Sequence, residues 1–196
     1  MASLNPISST LDLRKAKHLL RRASFVFNKT VTESYVDLTI SEALNKLTTS
    51  KTNTWTEPFD PLPLGNPDGH WLSSTKLPSS FERQVKKGGI IASWWWYNAI
   101  HESTLKHKLT FFLHTSFTVG KGNLNSSRFY DYLGLLEFYA FGNIKTLAKK
   151  ITFDNSMLVY LDNKSNNSNN PNENYAREFL ELFTILKGPQ VSSGDY

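Results

Sequence analysis

The segment from Asn170 to Gly188 constrains the fold most, because its apolar residues recur with the period of an α-helix. Pro171 suits the first helical position, which makes Asn170 the N-cap and Glu173 its capping-box partner. The apolar side chains then share one face: Tyr175, Ala176, Phe179, Leu180, Leu182, Phe183 and Leu186. The pattern predicts an amphipathic helix over 171–187 that packs on a core.

Helical periodicity recurs along the chain, whereas clean period-two alternation between hairpin turns does not occur. Capping-box patterns precede three segments, at Thr30 with Glu33, Thr39 with Glu42 and Ser79 with Glu82. Gly88 and Gly89 weaken the longest segment enough that it could divide in two. The sequence predicts an all-α, multi-helical fold of eight or nine helices, near 11–24, 31–38, 40–48, 79–102, 104–118, 126–141, 143–152, 154–161 and 171–187.

Two segments lack this periodicity and are predicted to be loops. Residues 49–78 hold five of the eight prolines, and residues 162–170 are almost entirely Asn, Ser and Lys. The chain has 196 residues, 39% of them apolar and none of them cysteine, so one globular domain must be stabilised by packing. No stretch has the length and apolarity of a membrane span, and no signal peptide is visible at the N-terminus.

The chain has a formal charge of +5, a mild basic excess, and its predicted first helix is basic and amphipathic. Its basic residues occupy one arc opposite an apolar one: Arg14, Lys15, Lys17, His18, Arg21 and Arg22. Such a face binds phosphates, acidic lipids or an acidic partner helix, or is simply solvated. Arg21 and Arg22 are candidate ligand-binding residues. Nucleic acid is the least favoured partner, because no nucleic-acid module accompanies this helix.

The candidate catalytic residues are acidic and basic side chains carried by helices. Glu178 and Glu181 lie three residues apart and could present two carboxylates, with Arg177 as an orienting partner and His114 as a base. The alternative interpretation is a solvated face of self-paired charges. Neither interpretation identifies a reaction type, and no common catalytic motif is present.

No metal site is predicted. His107 and His114 are seven residues apart, roughly 10 Å along a helix, too far for both to bind one ion. A metal would need carboxylates from elsewhere, such as Asp162, which is otherwise a candidate ligand-binding residue. The run from Trp94 to Tyr97 is interpreted as core anchoring, since consecutive helical residues point in different directions.

Four segments of the chain carry a resemblance to a known family: HLLRRASF at 18–25, TFFLHTSFT at 110–118, MLVYLDN at 157–163 and PNENYAREFLELFT at 171–184. Together they resemble the bacterial family known as domain of unknown function 1800. The continuation at Lys187 to Gln190 resembles the form that the family takes in Bacteroidetes. The resemblance implies that residues 1–196 are the N-terminal part of a longer helical domain, and that relatives are often exported or envelope-associated.

The resemblance brings no established activity, and it exposes one departure. Where the family's aromatic helix is expected to read His-x-His-Phe, Ser116 replaces the second histidine after His114. The sequence therefore favours a binding or scaffold module of unknown ligand and cofactor. A hydrolase-like enzyme is the alternative, and binding of nucleic acid or an acidic partner by the first helix is a third hypothesis.

Overall fold

The computed structural model describes residues 8–49, 58, 81–120, 126–169 and 171–184. These residues form nine α-helices and no β-strand, which confirms the predicted all-α class. The helices are α1 Leu13–Ala23, α2 Lys29–Glu33, α3 Ile40–Thr48, α4 Phe81–His101, α5 Lys106–Ser116, α6 Ser126–Phe138, α7 Ile144–Ile151, α8 Asn155–Tyr160 and α9 Asn174–Glu178. A 3-10 helix at Asn163–Ser165 lies within the predicted Asn/Ser-rich loop, and a π-helix at Phe179–Thr184 follows α9.

Local sequence signals predict some helix ends correctly and others incorrectly. The capping box of α3 is present, with reciprocal bonds between Thr39 and Glu42. The box predicted at Thr30 is wrong, because Asn28 caps α2 and Thr30 lies inside it. α4 runs without a break through both glycines. The Ser79 box and the predicted loop 49–78, except Thr49 and Pro58, lie outside the described residues.

The start of the last helix also differs from its prediction. α9 begins at Asn174, whose N–H donates to Oδ1 of Asn172 at 3.0 Å. Pro171 is therefore not helical, and Glu173 makes no side-chain capping bond. An Asn side chain that mimics a turn has prevailed over the proline and glutamate signals. The backbone then widens into the π-helix. Leu180 in it is 47% exposed, although the pattern predicts this residue on the apolar face.

Two hydrophobic cores organise the described residues. The smaller one lies between α1, α2 and α3, and consists of Leu11, Ala16, Leu20, Ala23, Tyr35, Ala43 and Leu47. The larger one is built from α4 to α9 and includes Trp95, Leu113, Tyr132, Leu136 and Met157. Leu105, the residue before α5, packs on the smaller core, and its N–H donates to the Leu47 carbonyl at 2.9 Å. Each large buried side chain contributes roughly 1.5–3 kcal/mol.

Within the larger core, α6 packs against α4, α5, α7 and α8. This central position brings side chains of α4, α5 and α6 together, and the candidate site lies among them. Among the described residues, no helix combines the length and apolarity needed to cross a membrane.

Candidate ligand-binding site

A cavity of about 230 Å³ lies among α4, α5 and α6. Its lining is Ala92, Trp95, Trp96, Thr110, Phe111, His114, Val119, Phe129 and Leu133. Two of these side chains have polar groups that can bind a ligand, namely the Thr110 hydroxyl and the His114 imidazole. The Thr110 hydroxyl already donates to the Lys106 carbonyl at 3.0 Å, so His114 is the principal polar group at the cavity.

The protonation state of His114 follows from its hydrogen bonds. The Tyr132 hydroxyl donates its single proton to the Phe117 carbonyl at 2.7 Å. The same hydroxyl oxygen lies 2.9 Å from Nδ1 of His114, so it must accept from an Nδ1–H group. The neutral ring therefore carries its proton on Nδ1. Nε2, which has no hydrogen-bond partner among the described residues, is left as an acceptor.

Burial favours this neutral state. Loss of hydration lowers the pKa of His114 below its ordinary value of 6.5. Burial, aided by the negative charge of Asp154, raises the pKa of Tyr132 far above its ordinary range, so its hydroxyl stays protonated. At neutral pH the cavity thus presents an uncharged imidazole.

We expect His114 to make stability depend on pH. Below pH 6.5 the unfolded chain takes up a proton that the folded protein still resists, so the free energy of unfolding should fall as the pH drops through this value. The His114→Gln variant should show a smaller loss between about pH 7.5 and about pH 5.5. Denaturant titrations at several pH values measure this, and an unchanged slope in the variant would contradict it.

Aromatic rings form one wall of the cavity. Trp95 stacks on Phe111 with ring centroids 6.3 Å apart, and Trp96 meets Trp95 edge to face at 5.0 Å. Phe25 packs edge-on against all three rings. Trp96 and Phe111 keep 42% and 38% of their surface exposed, so this wall reaches the protein surface.

One buried donor in this wall has no partner. Nε1 of Trp95 makes no hydrogen bond although the side chain is only 6% exposed. A buried tryptophan N–H usually finds an acceptor, since leaving it without one costs roughly 1–3 kcal/mol. The cavity wall therefore contains an unused donor as well as the His114 acceptor.

A buried ionic cluster, made of Glu102, Lys106, His107 and Glu137, lies behind this wall. Nζ of Lys106 is 3.0 Å from Glu137 and 3.4 Å from Glu102. Nε2 of His107 is 2.9 Å from Glu102, and its ring meets Trp95 edge to face at 6.0 Å. The cluster ties the α4–α5 connection to α6 and supports the tryptophan from behind.

The two carboxylates of the cluster compensate positive charge, which is unfavourable at the start of a helix. Lys106 and His107 begin α5, where the helix dipole opposes positive charge. Burial acts to raise the pKa of Glu102, but the His107 hydrogen bond and the Lys106 charge outweigh it and hold that pKa below 4.5. Glu102 thus stabilises the fold above pH 4.5, and this contribution is lost as the pH falls through its lowered pKa.

The other predicted catalytic residues do not line the cavity. Arg177 is exposed, and it contacts Glu178 at 3.6 Å and Asn174 at 2.8 Å. Glu181 lies in the π-helix. After α9, Phe179 of the π-helix stacks on Phe117 with ring centroids 6.4 Å apart. Of the four predicted catalytic residues, His114 lines the cavity, and Arg177, Glu178 and Glu181 do not.

The predicted ligand-binding residues Arg21, Arg22 and Asp162 do not line the cavity either. Arg21 and Arg22 are exposed on α1, where the Arg21 guanidinium lies 4.7 Å from the Phe27 ring centroid. Asp162 has a left-handed backbone with φ of 55°, and its carbonyl accepts from Nδ2 of Asn172 at 3.1 Å. Its visible role is to join the turn after α8 to the segment before α9.

Sequence reasoning missed Trp95 and Thr110 as site residues and the whole ionic cluster. Glu102 and Glu137 fit ordinary amphipathic helix ends, so no local pattern distinguishes them from solvated residues. One signal was available: Lys106, His107 and Thr110 recur at helical spacing on the buried side of an aromatic segment. Among the described residues, no group of three or more His, Asp or Glu side chains is arranged to hold a metal ion.

Comparison with known proteins identifies the family of the chain. None of the curated proteins matches the chain, and none of the solved structures does. A family model described as "Protein of unknown function (DUF1800)" matches residues 18–194, which include every residue of the cavity and of the ionic cluster. That relatives continue beyond Tyr196 stays a prediction. Because the match spans most of the sequence, the chain belongs to the DUF1800 family.

Proposed function

We propose that the protein is a binding module for a small, mainly apolar molecule with one hydrogen-bond donor. The observation that carries this proposal is the neutral His114 at a mainly apolar cavity, with Nδ1 engaged by Tyr132 and Nε2 left as an acceptor. Binding sites characteristically combine apolar walls with a few polar groups that fix orientation.

The size and walls of the cavity restrict the ligand. A cavity of about 150 Å³ accommodates benzene, so about 230 Å³ accommodates a substituted single ring. The aromatic wall of Trp95, Trp96 and Phe111 favours a flat molecule. A hydroxyl or N–H on that ring would donate to His114 Nε2, which makes a phenol-like molecule the matching class.

The test uses para-fluorophenol, followed by fluorine NMR with the whole chain. Binding should broaden or shift the fluorine signal and quench tryptophan fluorescence. Fluorobenzene lacks the hydroxyl and should bind more weakly by roughly 0.5–1.5 kcal/mol, the net contribution of one hydrogen bond.

A matched pair of variants assigns the binding to the cavity. Ala92 lines the cavity, so the Ala92→Phe variant should fill it and abolish binding. Ala148 on α7 is buried to a similar degree but lies outside the lining, and the Ala148→Phe variant should bind normally. Circular dichroism checks that both variants fold. Equal binding by both variants, or no binding of either probe by the native chain, would refute the proposal.

A hydrolase-like enzyme is the second candidate, supported by the same unprotonated Nε2. A neutral histidine beside a cavity can act as a general base, a role that typically contributes 10²–10⁴-fold to a rate. This hypothesis expects hydrolysis of para-nitrophenyl acetate that the His114→Gln variant loses. If the helix carboxylates also take part, the Glu181→Gln variant should lose this hydrolysis without a change in its melting temperature. If the native chain does not hydrolyse the ester, binding is the one function of the cavity that remains proposed.

A further inference from the structure

The surface formed by α1 and α3 has two grooves beside exposed cations. The first, of about 530 Å³, is lined by Leu13, Arg14, Lys17, His18 and Arg21. The second, of about 400 Å³, runs between α1 and α3 and is lined by Leu11, Asp12, Arg14, Lys15, His18, Leu19, Ile40, Ala43 and Leu44. Arg14 and His18 border both grooves, so they form one continuous surface, called here the α1–α3 surface.

The apolar part of this surface is open. Leu13 is 47% exposed and Leu44 is 48% exposed, and they lie on different helices that face the grooves. Leu19 and Ile40 between them are partly buried. Binding of phosphates alone would not require exposed leucine side chains. Apolar residues beside cations instead fit a partner that is itself amphipathic.

Several cations of this surface have no counter-charge. Among the described residues, Arg14, Lys17 and Arg21 have no ion pair, and α1 contains no acidic residue. Asp12, which lines the second groove, already caps α1 and pairs with Lys15 at 3.5 Å. Positive charge is therefore available to carboxylates of a partner.

We infer that the α1–α3 surface binds an acidic amphipathic helix of a partner protein. Leucine-like residues of that helix would enter the groove between α1 and α3, and its carboxylates would face Arg14, Lys17 and Arg21. Charge complementarity supports this occupant, because the cations border a groove that is lined by apolar side chains. The surface is separate from the His114 cavity, with which it shares no lining residue.

The test measures binding of a fluorescent peptide of about 18 residues, with Leu at helical spacing on one face and Glu elsewhere. A scrambled peptide of the same composition is the control for helical spacing. Fluorescence anisotropy with the native chain should show binding of the patterned peptide only. Affinity should fall as salt rises from about 0.05 M to about 0.5 M, because exposed charges are screened.

Two double variants locate the interaction. Arg14→Glu with Arg21→Glu should weaken binding about tenfold or more, because like charges would then face each other. Lys149→Glu with Lys150→Glu changes the same net charge on the exposed side of α7 and should change affinity less than about twofold. A third variant, Leu44→Ser, should also weaken binding, since it removes an exposed apolar contact.

Three results would overturn the inference. Equal binding of the scrambled peptide would show that only net charge matters. Equal weakening by the α7 variant would place the interaction elsewhere. Binding to vesicles that contain phosphatidylserine, but not to the patterned peptide, would assign the surface to a membrane. A negative result in the peptide test would not contradict the proposal for the His114 cavity, because the two tests use different residues.

Discussion

The Lys106→Met variant is expected to unfold with a free energy about 3–5 kcal/mol below that of the native chain. Methionine keeps most of the side-chain volume and removes the charge that lies 3.0 Å from Glu137 and 3.4 Å from Glu102. Two carboxylates would then share a buried site with His107 as their only remaining basic partner in the cluster. An unpaired buried charge costs far more than a lost surface ion pair.

Urea denaturation followed by circular dichroism measures this loss. The control is Lys149→Met, since Lys149 is an exposed lysine on α7, and it should change the free energy of unfolding by less than about 0.5 kcal/mol. Adding Glu137→Gln to Lys106→Met should recover part of the loss, because one buried negative charge is removed with its partner. If Lys106→Met is as stable as the native chain, the cluster is not an interacting unit.

The Tyr132→Phe variant is expected to lose about 1–3 kcal/mol of stability. Its hydroxyl donates to the Phe117 carbonyl at 2.7 Å and accepts from His114 at 2.9 Å, and both groups would lose their partner. The ring is fully buried and its packing is retained in phenylalanine, so the loss reports the hydroxyl alone.

This variant also tests the protonation of His114. Without the hydroxyl acceptor, no described group holds the proton on Nδ1, and nitrogen NMR should detect the Nε2–H form of the ring. Binding of para-fluorophenol should weaken accordingly, because the Nε2 acceptor is then partly protonated. Tyr160→Phe is the control, since Tyr160 is 41% exposed, and it should change neither the stability nor the tautomer. An unchanged His114 tautomer in Tyr132→Phe would contradict the hydrogen-bond assignment.

Features that depend on residues close together in the sequence could be predicted. The all-α class, most helix positions and the Thr39–Glu42 capping box follow from periodicity and short-range bonds. The start of α9 was predicted incorrectly because two local signals competed there. A turn made by the Asn172 side chain prevailed over the favourable position of Pro171.

The candidate site depends on contacts between distant segments, which no local pattern specifies. His114 was identified as a base, but its tautomer is set by Tyr132 on another helix. Glu102 and Glu137 are ordinary residues in the sequence and become buried partners only when α6 packs on α5. Glu178 and Glu181 fit a paired-carboxylate pattern, yet the fold brings neither to the lining of the cavity.

We propose that a ligand in the cavity donates a hydrogen bond to Nε2 of His114 and is oriented by it. The most direct measurement is nitrogen NMR of the histidine side chains while para-fluorophenol is added to the native chain. We predict that the Nε2 signal of His114 shifts as an acceptor of a hydrogen bond, that its proton remains on Nδ1, and that the signals of exposed His18 and His101 do not move. Saturating probe with no change at His114, or an equal change at all three histidines, would contradict the claim.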